Sequence, residues 1–374
     1  MNTQDERYSR FGLIRDMLET AEIIRQFDAS VGAEAAQAIA QSQRLLMTGE
    51  GSSRLFPAKN AIAHARRQGW PLVLHTEAAL QAKTYALQDW SVFALSNSGR
   101  TAEVIELFSH LQSQGHDRRF SLTAFPQTKL QSLASHGYVL KCGPEGAVAA
   151  TKSVVEQALV YRAVLEQAVG KPQMAARLGM LAQQFEQALT TAPDAAWIET
   201  AAGADLVYWA GLNDGVAEEL TLKTNEITRK PADFLEGTYA LHGVEEVMDR
   251  SQVVIWLEPA PETQEKIQKV LIEGVGLPVL TIASQPTAFP TWVIPDGGDF
   301  SGFVQMAAGW NALVEIGLQL GVDLDKPVIT SCGSGVTAAV LSLALETIGH
   351  RNHALYDGSW TEWGSYADLK VEQG

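Results

Sequence analysis

The sequence predicts an α/β protein of two successive units, each a three-layer α/β/α sandwich built on a parallel sheet. Three observations carry that expectation. Short apolar runs such as Arg44–Thr48 and Val92–Leu95 alternate with longer segments of helical periodicity; strands alternating with helices form parallel sheets covered on both faces. The alternation pauses near Pro193 and then starts again. Glycine- and hydroxyl-rich turns lead straight from strand to helix, and in such sheets ligands sit at the carboxyl ends of the strands. A length of 374 residues suits two domains of about 150 residues each.

In chain order, residues 8–40 read as helical, with apolar positions at Phe11, Ile14, Leu18, Ile23, Ile24 and Phe27, so 1–35 is assigned to an N-terminal helical segment. The first unit, 36–190, opens with the strand Arg44–Thr48, the turn Gly49-Glu50-Gly51-Ser52-Ser53 and a helix to Arg67. Further strands are expected at Leu72–His75, Val92–Leu95, Phe120–Ala124 and Tyr138–Lys141. The stretch from Gly143 to Lys152 then opens a long helical region reaching Leu189, and Thr191–Ala195 forms the joint. The second unit, 195–326, has strands at Leu206–Gly211, Val253–Leu257, Val279–Ala283 and Trp292–Ile294, with helices at 214–230, 262–275 and 301–320.

Composition narrows the function. A net charge of −15 argues against nucleic-acid binding, which needs a basic face. An anionic ligand would need a local positive site made by helix termini and a few lysines. No apolar run approaches the length of a membrane span, and Met1–Glu6 has neither a basic nor an apolar export region. Two cysteines, Cys142 and Cys332, give no disulfide framework. The expectation is a cytoplasmic protein.

Chemistry concentrates at Leu95–Glu103, where Ser96, Asn97, Ser98 and Thr101 surround Gly99 between a strand and a helix. Outward-pointing N–H groups at a helix start suit a phosphate, although an ordinary N-cap asks for the same residue types. Gly51-Ser52-Ser53 leaves its strand at the same sheet edge. Glu219, Lys223 and Glu226, at i, i+4 and i+7, share one helix face. That face is either a solvated ion-pair stripe, worth roughly 0.3 kcal/mol per pair, or a carboxylate base with a lysine beside it. His242 reads on spacing alone as structural.

These residues resemble the SIS (sugar isomerase) family, in particular its double-SIS members, over roughly 8–326. Gly49-Glu-Gly-Ser-Ser53 is similar to the family's first phosphosugar loop, Ser96-Asn-Ser-Gly-Arg-Thr101 to its Ser-x-Ser-Gly-x-Thr phosphate turn, and Gly146-Ala-Val-Ala-Ala-Thr-Lys152 to its Val-Ala-Ser-Thr-Lys segment. Glu219-x-x-x-Lys223-x-x-Glu226 resembles the catalytic helix and Leu241-His242-Gly243 the histidine loop, here followed by Val rather than Pro. The resemblance implies that Gly51, Ser52, Ser53, Ser96, Asn97, Ser98, Thr101, Val148, Ala149 and Thr151 hold a phosphosugar. Glu226 would move a proton between C1 and C2 of the open-chain sugar, Lys223 would lie beside it, and His242 would assist ring opening, in the same or a neighbouring subunit. It further implies no cofactor or metal, and a homodimer. No glutaminase domain with an N-terminal cysteine precedes these motifs, so isomerase, amino-sugar-phosphate deaminase and deglycase of a sugar–amine adduct stay open. A non-catalytic phosphosugar-binding protein is the alternative from another class.

The tail, 327–374, breaks the pattern. Val328-Ile-Thr-Ser-Cys332-Gly-Ser-Gly-Val-Thr-Ala338 and Ala354-Leu-Tyr-Asp-Gly-Ser-Trp-Thr-Glu-Trp-Gly364 resemble the C-terminal end of rhodanese-type mercaptopyruvate sulfurtransferases. The resemblance makes Cys332 a nucleophile in a Gly-rich loop whose helix N-terminus lowers a thiol pKa. A fragment this short cannot bury a core of its own. An idle thiol is the other reading.

Overall fold

A computed structural model describes residues 1–322, 328–330, 336–347 and 353–356. Helices α1 (Gly12–Gln26) and α2 (Ala33–Ser42) precede the first sheet. That sheet comprises β1 (Arg44–Thr48), β2 (Val73–Glu77), β3 (Ser91–Leu95), β4 (Arg119–Thr123) and β5 (His136–Val139). Its connections include α3 (Leu55–Arg67) and α4 (Ala102–Ser113), and α5 (Lys152–Ala168), α6 (Leu178–Thr190) and α7 (Ala195–Gly203) follow it. The second sheet comprises β6 (Val207–Gly211), β7 (Ala232–Glu236), β8 (Val253–Leu257), β9 (Val279–Ala283) and β10 (Thr291–Val293); α8 (Val216–Thr228) links β6 to β7, and α9 (Ser301–Gln319) closes the unit. In the tail, β11 (Val328–Thr330) pairs in parallel with β12 (His353–Leu355), with α10 (Val336–Thr347) between them.

Both large sheets are wholly parallel, in the orders β2-β1-β3-β4-β5 and β10-β9-β8-β6-β7. Each reverses direction once, between β1 and β3 and between β6 and β8, and ligands of such sheets bind where the order reverses. Leu46, Val92 and Ala94 face Val104, Leu107 and Phe108 of α4, while Met47, Phe93 and Phe120 pack toward α3 and α5. One further core joins the halves. Ile14 and Met17 of α1, Leu159 of α5 and Phe185 of α6 pack in the same cluster as Leu220 of α8 and Trp310 of α9. Gly215, at φ +89°, starts α8; a Cβ there would stand 2.5 Å from the Leu55 carbonyl oxygen, so its missing side chain lets α8 lie against α3. Lys59 of α3 and Glu218 of α8 pair across this contact.

Several boundaries differ from the sequence expectation. The single helix over 8–40 is interrupted between Phe27, whose backbone is extended, and Gly32, at φ +83°. The region 143–189 turns helical only at Lys152 and breaks after Ala168, around Gly170 and Pro172. Strand β5 lies two residues earlier than expected. Strand β7 was not anticipated: it is an edge strand in which only Leu235 is fully buried, so it carries no apolar run. The segment 262–275 begins in a 3-10 turn, Pro261–Thr263, continues as a short α-helix, Gln264–Ile267, and finishes as a wider π-helical stretch, Gln268–Val275.

Candidate active site

The two hydroxyl-rich turns are neighbours because β1 and β3 pair side by side. Gly51–Ser53 forms a single 3-10 turn after β1. A Cβ at Gly49 would lie 2.8 Å from the carbonyl oxygen of Leu95, so the loop leaving β1 rests on the end of β3. The second turn is tied down by its own backbone: Ala124 N–H donates to the Asn97 carbonyl at 2.9 Å, and Leu130 N–H to that of Gly99 at 3.1 Å. Gly99 sits at φ +63° with Thr128 atoms 2.4 Å from where its Cβ would be, a place for glycine alone.

Within this turn Ser96 Oγ and Thr101 Oγ1 lie 2.7 Å apart, Gly99 N–H donates to Ser96 Oγ at 3.1 Å, and Arg100 N–H donates to Ser98 Oγ at 3.2 Å. Thr101 occupies the N-cap of α4 but its hydroxyl caps no amide. The first amides of a twelve-residue helix are therefore left without a side-chain cap, beside a ring of hydroxyls. The buried Asn97 Oδ1 has no hydrogen-bond partner. A cavity of about 610 Å³ opens beside the turn, walled by Ser98, Arg100, Phe125 and Lys129 and by Ala344 and Thr347 of α10.

Helix α8 reaches the first turn from the second half of the chain. Lys223 Nζ donates to Ser52 Oγ at 2.9 Å and to Glu226 Oε2 at 2.7 Å, and faces Glu219 Oε1 at 3.4 Å. The side chains of Lys223 and Glu219 have no exposed surface, whereas Glu226 keeps 31%, so Glu226 is the carboxylate open to a ligand. Burial pulls the Lys223 ammonium down, but the carboxylates of Glu219, Glu226 and Glu145 outweigh it and hold it above the ordinary lysine value. Burial raises the Glu219 carboxyl; the Lys223 ammonium, 3.4 Å from Glu219 Oε1, and the Ser52 hydroxyl work against that rise.

The loop before α5 forms a third wall. Glu145 accepts from Thr151 N–H at 2.6 Å, from Thr151 Oγ1 at 3.2 Å and from Ser153 Oγ at 2.6 Å, covering the start of α5. Lys152 is buried and pairs with Asp16 at 2.9 Å and Glu19 at 2.7 Å, and Asp16 also accepts from Gly146 N–H, which moors the loop to α1. One turn along α5, Gln157 Nε2 donates to Ser53 Oγ at 3.5 Å while its buried Oε1 has no partner.

The structure thus gathers Ser52, Ser53, Lys223 and Glu226, sets Ser96, Asn97, Ser98 and Thr101 in the adjoining turn, and holds Thr151 on Glu145. Ala149 is buried and Val148 is exposed. His242 is exposed on the loop after β7, its backbone N–H bonded to Tyr239, and none of its bonds reaches another candidate among the described residues. Cys332 lies outside the described residues. Sequence reasoning missed Glu145 and Gln157. For Gln157 the signal is indirect: α5 is buried nearly all round, so its polar side chains must find partners inside; Glu145, on the loop before α5, carries no such signal. At the corresponding edge of the second sheet two carboxylates accept backbone amides, Asp214 from Val216 N–H and Glu258 from Ser284 N–H. Among the described residues no group of His, Cys, Asp and Glu side chains could hold a metal, and no helix is long and apolar enough to cross a membrane.

Comparison with known proteins places this geometry. Residues 38–167 match the SIS domain family. A glutamine–fructose-6-phosphate aminotransferase (isomerizing) of Xylella fastidiosa is 29% identical over 235 residues, 58% of this chain and 39% of that protein. The 3-mercaptopyruvate sulfurtransferase of Escherichia coli K12 is 65% identical over 52 residues, 14% of this chain and 18% of that protein. The chain therefore spans well under two thirds of either relative. Among solved structures, the C-terminal domain of a Francisella tularensis glucosamine-fructose-6-phosphate aminotransferase superposes with a TM-score of 0.73 at 16% identity, covering 86% of this chain and all of that one. Escherichia coli tagatose-6-phosphate ketose/aldose isomerase gives 0.70 at 17% identity, covering 87% and 98%. At these identities the likeness is one of fold: two parallel five-stranded sheets with flanking helices, the SIS-like α/β arrangement.

Proposed function

We propose that the protein is an enzyme acting on a sugar 6-phosphate, an amino-sugar 6-phosphate or a phosphorylated sugar–amine adduct by moving a proton between C1 and C2. The observation that carries the reading is the double bond of Lys223, to Ser52 on the first sheet and to Glu226 on α8. Those two hydrogen bonds tie a partly exposed carboxylate to the first turn. The uncapped start of α4 and the hydroxyls of Ser96, Ser98 and Thr101 take the phosphate, with Ser52 and Ser53 on the sugar hydroxyls. Glu226 removes the proton from the carbon next to the carbonyl, whose oxygen takes up a proton as the enediol or enolamine forms, and then returns the hydrogen to the neighbouring carbon. Lys223 holds Glu226 in place through their 2.7 Å hydrogen bond. His242 opens the sugar ring, in this subunit's site or a partner's within a homodimer, and Val148, Ala149 and Thr151 line the loop that closes over the sugar. The domain limits 36–190 and 195–326 belong to the same proposal. A phosphosugar sensor would need the turns but not a base held by a buried lysine.

A panel of 6-phosphosugars, amino-sugar 6-phosphates and fructosamine 6-phosphates tests it, read as ketose, ammonia and free amine. Conversion of at least one member supports the reading, and binding without conversion of any would favour a sensor. The second reading, sulfur transfer through Cys332, rests on the short sulfurtransferase match. The tail is too small a part of a rhodanese domain to work alone. Mercaptopyruvate and thiosulfate assays with cyanide are therefore expected to show no rate that Cys332→Ser removes.

A further inference from the structure

A fully buried cation sits where the two halves of the chain meet. Arg162 of α5 has no exposed surface, and its Nη1 donates to Asn60 Oδ1 of α3 and to the carbonyl of Asp299, just before α9, both at 3.2 Å. Its Nε and Nη2 have no hydrogen-bond partner, and among the described residues it forms no ion pair. The two carboxylates that act on it through space are engaged elsewhere. Glu166 accepts from Gln173 N–H at 2.7 Å and from Met174 N–H at 2.8 Å, and Asp299 pairs with Arg177 at 2.6 Å. Arg162 and Arg177 also share one ring, their guanidinium carbons 4.6 Å and 5.1 Å from the centre of Phe300. Burial pulls Arg162 down to about 9, which leaves it charged near neutral pH.

Further donors converge on the same place. His64, one turn beyond Asn60 on the same face of α3, is buried with an unpartnered Nδ1. Burial, and then Arg162, hold its imidazole down to about 3, so the neutral ring is free to carry its proton on Nδ1. No side chain caps the start of α9, a nineteen-residue helix whose first amides add the positive end of its dipole. Gly302 lets Asn60 reach that helix start, since a Cβ there would stand 2.5 Å from Asn60 Nδ2. A buried water would satisfy free N–H groups but leave the guanidinium uncompensated, and an unpaired charge in a protein interior costs far more than an unpaired amide. An anion answers both needs.

We infer that a small monovalent anion of the chloride type binds Arg162 through Nε and Nη2, beside His64 and the start of α9. Enclosure by α3, α5 and α9 excludes anything as large as a sugar phosphate, so this site is separate from the one proposed above. It joins α3 and α5 of the first half to α9 of the second.

Urea unfolding of the intact protein in sodium chloride, against sodium gluconate at equal ionic strength, tests the site. The wild type should unfold at a higher urea midpoint in chloride, by an amount that grows with the logarithm of chloride concentration, as binding to the folded state alone requires. Bromide should act as chloride does, whereas gluconate is too large to enter. Arg162→Lys keeps the charge but not the planar fork, and should lose most of the chloride-dependent rise. Should that variant fail to fold, wild-type crystals grown in sodium bromide give the answer: the anomalous signal of bromine should lie within hydrogen-bond reach of Arg162 Nε and Nη2. Equal midpoints in the two salts, a rise undiminished in Arg162→Lys, or a water in place of bromide at Arg162 would overturn the proposal. None of these outcomes bears on the phosphosugar reading.

Discussion

At the scale of single residues the decisive one is Lys223, whose ammonium has no exposed surface and serves two carboxylates and a serine at once. Removing a cation from such a place exposes its partners to each other. Lys223→Met is expected to cost about 3–5 kcal/mol, because Glu219 stays buried and loses its counter-charge. The loss should depend on pH. Burial already raises the Glu219 carboxyl in the folded protein, so the folded state holds a proton that the unfolded state has released, and stability falls as pH climbs from the ordinary glutamate range through the raised value. Without Lys223 that window widens. The gap in urea midpoint between Lys223→Met and wild type should therefore narrow from about pH 7 to about pH 5; a gap independent of pH would contradict the ion-pair account.

Among elements, α8 matters most, since it brings Lys223 and Glu226 of one half to Ser52 in the first turn of the other. Its seat is Gly215, whose φ of +89° and 2.5 Å clearance to Leu55 O exclude a side chain. Gly215→Ala should lift α8 from α3, costing about 1–3 kcal/mol. It should also lower kcat more than it raises KM, because the proposed phosphate turn belongs to the first sheet. An unchanged kcat would show that the seat of α8 is not critical. This element also marks how far the sequence could be read. Glu219, Lys223 and Glu226 share a face by spacing, but the sequence could not distinguish a solvated stripe from a buried base, since only tertiary packing, including Lys223 on Ser52 of the first turn, buries Glu219 and Lys223. The form of the turn at Ser96–Thr101 was legible because it is local, needing one glycine and short hydroxyls between a strand and a helix. Glu145 and Gln157 were not, since each acts through a partner distant in sequence, and β7 was hidden by lying at a sheet edge with its side chains mostly outward.

For the whole molecule, the sheets are separate but their helices are not. Residues of α1, α5 and α6 share one core with those of α8 and α9, so neither half buries its helices alone. Chemical unfolding should follow one transition, with tryptophan fluorescence, which reports both halves through Trp70 and Trp90 in the first and Trp209 and Trp310 in the second, coinciding with far-ultraviolet dichroism. Two separated transitions would show that the halves are independent and that the shared site is not held by the core. The same merging explains why an N-terminal segment read as separate is integral: α1 carries Asp16 and Glu19, which moor Lys152 and the loop bearing Glu145.

The most direct test of the central claim follows the hydrogen itself. With the phosphosugar that binds best, in deuterium oxide, proton resonance spectra should show the wild-type protein exchanging the hydrogen at C1 or C2 for deuterium. Glu226→Gln should slow that exchange by about 10²–10⁴-fold while the ligand still binds. Exchange at the wild-type rate in Glu226→Gln, or no exchange at all in the wild type, would contradict the account.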